Sequence, residues 1–187
     1  MKRIVILASG SGSLAQSIFD ADFSSEGAEV VALICDKPGA HVLQRAEMQH
    51  IESYLIPMLA DRSLWNTELE NLIAALRPDL VVSAGFMCIL PEAITSRFRI
   101  INSHPALLPL FPGAHAVRDA MAAGATETGT TIHWVDAGVD TGEVIAQEKV
   151  EILEGDTEES LHERIKIVER GLIVATIRKV LATLEKQ

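Results

Sequence analysis

The segment Ile4-Val5-Ile6-Leu7-Ala8-Ser9-Gly10-Ser11-Gly12-Ser13 decides how this chain folds. An unbroken apolar run rich in β-branched residues suits a strand buried on both faces, as in a parallel sheet. The glycines that follow permit a tight turn, and Ser13 begins a stretch with helical spacing, Ser13–Asp22. Working outward, Val30–Cys35 and Leu80–Ala84 repeat the strand signature between Gly, Pro or Asp, and Ser53–Ile56 is a weaker version of it. Helical stretches are expected between them at His41–His50 and Ser63–Leu76. In the latter, Leu64, Leu69, Leu72, Ile73 and Leu76 form one face and Pro78 closes it. Strand–helix alternation of this kind implies right-handed crossovers, hence an α/β fold with a doubly wound, mostly parallel sheet flanked by helices.

The second half reads differently. Ile100–Asn102 is a short strand followed by a Pro-rich stretch, His104–Gly113. Thr130–Val135 and Val144–Val150 are strand-like runs separated by the loop Asp136–Glu143. A long helix is expected from Asp156 to about Leu184, with Leu161, Ile165, Val168, Leu172 and Ile177 on its apolar face and Asp156 and Glu159 as its cap. With no repeat, low-complexity tract or evident linker, the expectation is a single domain over residues 1–187.

Composition narrows the partners. The 187 residues carry a formal net charge of −10, with one Tyr, two Trp and five Phe. A chain so acidic and poor in aromatics offers neither a basic track for phosphate backbones nor a stacking platform, so no nucleic acid is expected. No segment reaches the ~20 apolar residues of a membrane span, and the opening run is shorter than the roughly 7–15 residues of a signal core. Cys35 and Cys88 lack the spacing of a zinc site, and two thiols make no disulfide framework. A cytoplasmic setting is expected, with small-molecule substrates, no membrane partner, and a homodimer left open.

Four places can carry chemistry. Ser9-Gly10-Ser11-Gly12-Ser13 is either a structural strand–helix turn or an anion cradle. It lacks the third glycine of a dinucleotide fingerprint and the Lys of a triphosphate loop, so a lone phosphate fits best. Asn102 and His104 sit at the carboxyl end of a strand, where open α/β sheets bind ligands, and alternation puts them on one side. An amide and an imidazole converging there can stabilise a carbonyl oxygen that becomes an oxyanion. Asp136-Ala137-Gly138-Val139-Asp140-Thr141-Gly142 is either a tight turn or a device that brings a carboxylate to His104. Glu169 lies on or beside the buried face of the last helix and needs a partner, either an Arg or a ligand amine. His41, His50, His115, His133 and His162 read as packing or surface residues, with a supporting role beside the site as the alternative for His133.

Asn102-Ser103-His104-Pro105-Ala106-Leu107-Leu108-Pro109, followed by Phe111-Pro112-Gly113, closely resembles the signature of the phosphoribosylglycinamide formyltransferase family of purine synthesis. The likeness extends through the opening turn, Ala84-Gly85-Phe86-Met87, Gly129-Thr130-Thr131, Val139-Asp140-Thr141-Gly142 and the helix with Glu169, in order over essentially the whole chain. It implies a formyltransferase-like, Rossmann-type fold, with a phosphate-binding half of about residues 1–100 and a folate and catalytic half of about 101–187. It also implies that an amine of 5′-phosphoribosylglycinamide attacks the formyl carbon of 10-formyltetrahydrofolate, the co-substrate, with no metal. By the same resemblance His104 is the general acid and oxyanion partner, Asn102 donates to the formyl oxygen and Asp140 holds His104. Gly12, Ser13 and Leu14 contact the phosphate through their backbone, and Glu169 receives the glycinamide end. Met87, Cys88, Ile89, Leu90, Asn102, Asp136, Val139 and Asp140 line the folate pocket, with Arg62 near its entrance.

The chain departs from the family at three places. Leu14 replaces a frequent Asn, Cys88 a usual Arg, and Leu110 a frequent Lys. A methionyl-tRNA formyltransferase would need a further C-terminal domain and a basic surface. A formyltetrahydrofolate hydrolase would carry a domain ahead of the first strand, which here begins at residue 2. A protein that only binds folate or phosphate would have no need of Asn102, His104 and Asp140 together.

Overall fold

The computed structural model describes residues 1–184. Seven strands form one sheet in the order β3-β2-β1-β4-β5-β6-β7. Strands β1 (Lys2–Ala8), β2 (Ala28–Cys35), β3 (Ser53–Leu55), β4 (Leu80–Ser83) and β5 (Ile100–His104) pair in parallel. Strands β6 (Glu127–Trp134) and β7 (Val144–Glu151) add antiparallel to β5. Helices α1 (Ser13–Phe19), α2 (His41–Met48), α3 (Arg62–Leu76), α4 (Glu92–Thr95), α5 (Ala116–Ala122) and α6 (Glu158–Thr183) complete the fold. The expected doubly wound, mostly parallel α/β sheet is therefore present.

Strand β1 shows why its unbroken apolar run was informative. Ile4, Ile6 and Ala8 face one core with Ile18, Ile173 and Ile177 of α1 and α6, while Val5 and Leu7 face another with Trp65, Leu69 and Ile73 of α3. A strand covered on both sides must be apolar at every position. Each fully buried Leu or Ile here contributes on the order of 1.5–3 kcal/mol by leaving water.

Several boundaries and faces differ from the expectation. α1 ends at Phe19 and α2 at Met48, both short of Asp22 and His50. β4 stops at Ser83 and β3 at Leu55, whereas β2 begins earlier, at Ala28. β6 spans Glu127–Trp134, and two short helices, α4 and α5, fall in segments with no helical reading. β5 continues past Asn102 to His104, which places both residues in one pleated strand. In α3, Leu64 is 61% exposed and Trp65 is fully buried in its place. The Asp61 carboxylate caps this helix through the amides of Ser63 and Leu64; Trp65, four residues before Leu69, falls on the buried face, where its indole N–H reaches the Ile56 carbonyl at 3.1 Å.

The α6 cap also lies one residue beyond its expected place. Thr157 and Ser160 form the reciprocal capping box. Asp156 is taken up by Arg164 and by the Leu153 amide, and these partners hold its carboxyl well below the usual range. An acid engaged by a guanidinium is not free to cap, so the task passes to Thr157. Among the described residues no helix is long and apolar enough to cross a membrane.

Candidate active site

A cavity of about 590 Å³ opens where the carboxyl ends of β1, β4 and β5 meet α6 and the loops after β4 and β6. Gly12, Ser13 and Leu14 lie along one side, and Met87, Cys88, Ile89, Leu90, Asp136 and Val139 along another. Asn102, His104, Asp140 and Glu169 line it as well. Arg62 is not among the lining residues. Its guanidinium stacks 4.5 Å over the Trp65 ring and donates to the carbonyl of Ile89, which does line the cavity.

The Ser9–Ser13 turn is shaped from behind by α2. The carbonyl of Gly10 accepts the Val42 amide at 3.2 Å, and that of Ser11 accepts Nε–H of Arg45 at 2.8 Å. Gly12 has φ of +73°, and a Cβ there would lie 2.4 Å from a Val42 methyl, so both conformation and space require glycine. The first amides of a helix have no partner within it, which leaves those of α1 available to a ligand. The Leu14 side chain is buried in the core beneath the turn, so this residue can offer a ligand only its backbone. Ser9 ties the turn to the opposite wall: its amide donates to the Gly85 carbonyl and its hydroxyl accepts the Met87 amide.

At the other end, four side chains form a connected set. His104 and His133 are 4% and 2% exposed, and the Asp140 carboxylate stands between them. Its Oδ2 is 3.4 Å from His104 Nδ1 and its Oδ1 is 3.5 Å from His133 Nε2. The Gly113 amide donates to the same Oδ2 at 2.8 Å. The interaction with His133, then the Gly113 amide and the charge of His104, hold Asp140 below the ordinary carboxylate range against the cost of burial. The Nε2–H of His104 donates to the Phe111 carbonyl at 2.8 Å. Only a doubly protonated His104 can donate to Phe111 and Asp140 together.

His133 explains the orientation of Asn102. Its Nδ1–H donates to the Trp134 carbonyl at 2.8 Å, and its Nε2 stands between the Asn102 amide and the Asp140 carboxylate, accepting from the first when bare and donating to the second when it carries a proton. The Asn102 amide donates one N–H to it at 3.2 Å. The second N–H has no partner among the described residues, on a side chain that lines the cavity. His133 pairs with Asn102 across the β5–β6 ladder, and that register is what a sequence without strand pairing does not reveal.

Ser103, between Asn102 and His104, points the other way and donates its hydroxyl to Glu169. Burial pushes the Glu169 carboxyl up, and the Ser103 hydroxyl only partly offsets this. His162 and Lys166 precede Glu169 on the same face of α6 and also line the cavity. His162 therefore faces the site rather than serving only as packing, and burial followed by the Lys166 charge lowers its pKa. Lys166 was missed altogether. The available signal was the spacing of His162, Lys166 and Glu169, which sets three polar groups on one side of a helix. On the cavity wall, Cys88 donates its thiol to Asp36 at 3.3 Å. Burial and that carboxylate push the thiol up to about 11, so it is a neutral wall residue rather than a nucleophile.

Comparison with known proteins identifies the family. The sequence model for "Formyl transferase" matches residues 2–177. A phosphoribosylglycinamide formyltransferase of Mycobacterium tuberculosis is 48% identical over 180 residues, covering 94% of this chain and 83% of the relative. The enzyme of that name from Bacillus subtilis is 35% identical, covering 97% and 95%. Among solved structures, phosphoribosylglycinamide formyltransferase from Bacillus halodurans superposes with a TM-score of 0.92 at 40% identity, covering 98% of this chain and 97% of that one. The chain belongs to the formyl transferase family and, within it, to the phosphoribosylglycinamide formyltransferases.

Proposed function

We propose that the protein transfers the formyl group of 10-formyltetrahydrofolate to the amine of 5′-phosphoribosylglycinamide, the reaction of de novo purine synthesis. The observation that carries this reading is the connected set Asn102, His133, Asp140 and His104 at one end of a cavity whose other end is a backbone-lined anion turn. The ribonucleotide phosphate takes the amides at Gly12, Ser13 and Leu14. Lys166 stands along the same wall as a countercharge, and Glu169 meets the sugar and glycinamide portion. The folate lies against Met87, Cys88, Ile89, Leu90, Asp136 and Val139, with Arg62 at the entrance and the formyl group toward Asn102.

The amine nitrogen attacks the formyl carbon, and the carbonyl oxygen becomes an oxyanion. The free N–H of Asn102 donates to that oxygen, an effect worth about 10²–10³-fold in rate, and His104 becomes its second partner when its Nε2–H turns from the Phe111 carbonyl to the substrate. The amine then loses a proton, the folate nitrogen gains one as its bond to carbon breaks, and tetrahydrofolate leaves. Asp140, 3.4 Å from His104 Nδ1, holds the imidazole in orientation through this exchange. No residue need form a covalent intermediate, since holding both reactants in one cavity supplies much of the acceleration.

The reading is tested by assaying purified protein with both substrates and following tetrahydrofolate release. Release that depends on the ribonucleotide is expected. Equal release in its absence would identify a hydrolase instead.

A further inference from the structure

Asp140 owes its place to its own loop as well as to its imidazole neighbours. Its backbone has φ of +54°, a left-handed conformation that costs a non-glycine residue free energy and has to be held by its surroundings. Asp136, four residues earlier, supplies the hold. Its Oδ1 accepts the Gly138 amide at 3.0 Å and the Thr141 hydroxyl at 2.7 Å, tying together the residues on either side of Asp140. The fit is close: a Cβ on Gly138 would lie 2.0 Å from the Thr141 hydroxyl oxygen, and one on Gly142 would lie 1.7 Å from the Trp134 carbonyl oxygen. The loop is thereby seated on the end of β6, with the Gly113 amide meeting the Asp140 carboxylate from the other side.

We propose that Asp136 and Thr141 form a clamp that keeps Asp140 between His104 and His133, which makes both of them positioning residues for formyl transfer. The inference rests on the catalytic reading of Asp140. It gives the Asp136 side chain a role within its own loop, distinct from lining the folate pocket. The clamp needs an acceptor at residue 136 and a hydroxyl at residue 141, and it does not need the negative charge. Hydrogen bonding by the Thr141 hydroxyl, the largest influence on Asp136, holds its carboxyl below the ordinary range, in keeping with that contact.

Steady-state kinetics on paired variants separate the clamp from a general effect on folding. Asp136→Ala and Thr141→Val remove it, whereas Asp136→Asn and Thr141→Ser keep an acceptor and a hydroxyl. The first pair should lose about 10- to 100-fold in kcat, the scale of a misplaced catalytic group, with the ribonucleotide KM within about twofold of wild type. Thr141→Ser should retain most activity, and Asp136→Asn should lose less in kcat than Asp136→Ala. Wild-type kcat in Thr141→Val, which changes only a hydroxyl for a methyl, would overturn the proposal even if Asp136→Ala failed to fold. Equal losses in Asp136→Asn and Asp136→Ala would also overturn it, because charge would then be the requirement. Full activity in Asp140→Asn would instead remove the catalytic reading, an outcome distinct from failure of the clamp alone.

Discussion

The two ends of the cavity are made of different material. The Ser9–Ser13 end offers backbone amides on a turn held by α2, with the Leu14 side chain packed into the core. The β5–β6 end offers side chains, each with a defined partner: Asn102 with His133, His133 and His104 with Asp140, and His104 with Phe111. A backbone site depends on chain conformation and tolerates changes of side chain. A side-chain site depends on the identity of each residue and on its partner.

Substitutions at the two ends should therefore fail differently. The largest effect is expected at the side-chain end: His104→Ala and Asp140→Asn should each lower kcat by about 10²–10⁴-fold while the fold persists, the scale of a lost acid or oxyanion partner. Near-normal turnover in His104→Ala would sink the mechanism. Asn102→Ala should follow, with about 10²–10³-fold lost in kcat, because it removes the donor to the developing oxyanion. A large rise in folate KM with kcat intact would instead assign Asn102 to binding.

At the backbone end, Gly12→Val should raise the ribonucleotide KM about tenfold or more and lower stability by about 1–3 kcal/mol, through overpacking against Val42. Binding titrations of both substrates measure this, and equal loss of folate affinity would contradict the division between ends. The smallest effect concerns Glu169, whose folded pKa is raised above its ordinary value of 4.5. In the window above that value the folded state holds a proton that the unfolded state has released, so stability falls as pH rises toward the raised pKa. Glu169→Gln should remove that decline, leaving the ligand-free protein roughly a few degrees more heat-stable at neutral pH and unchanged below pH 4. A melting curve that declines with pH identically in both proteins would show that another group is responsible.

How much of this could be read in the chain follows from which interactions are local. The unbroken apolar runs and the helical spacing gave the sheet and most helices, because periodicity is a local property. The turn at Gly12 and the pair Asn102 and His104 were legible from strand ends and alternation. Asp140 reached His104 only through the family likeness, since nothing local aims a loop at a strand 36 residues away. Trp65 takes the place of Leu64 on the α3 face because it stands four residues before Leu69, and Leu64 five. His133 was suspected, but its bond to Asn102 depends on antiparallel register, and Lys166 was overlooked because a single Lys on a long helix ordinarily reads as surface.

Val42 has a wider consequence. It is a fully buried core residue whose side chain occupies the space where Gly12 would carry a Cβ. The two positions thus share one volume, and what either gains the other has to give up. A chain with Ala at residue 12 would need a smaller residue at 42, and would still bear a left-handed backbone that favours glycine. Substitutions at these positions should therefore be interdependent, so that the recognition of a phosphate is written partly in the size of a valine on the next helix.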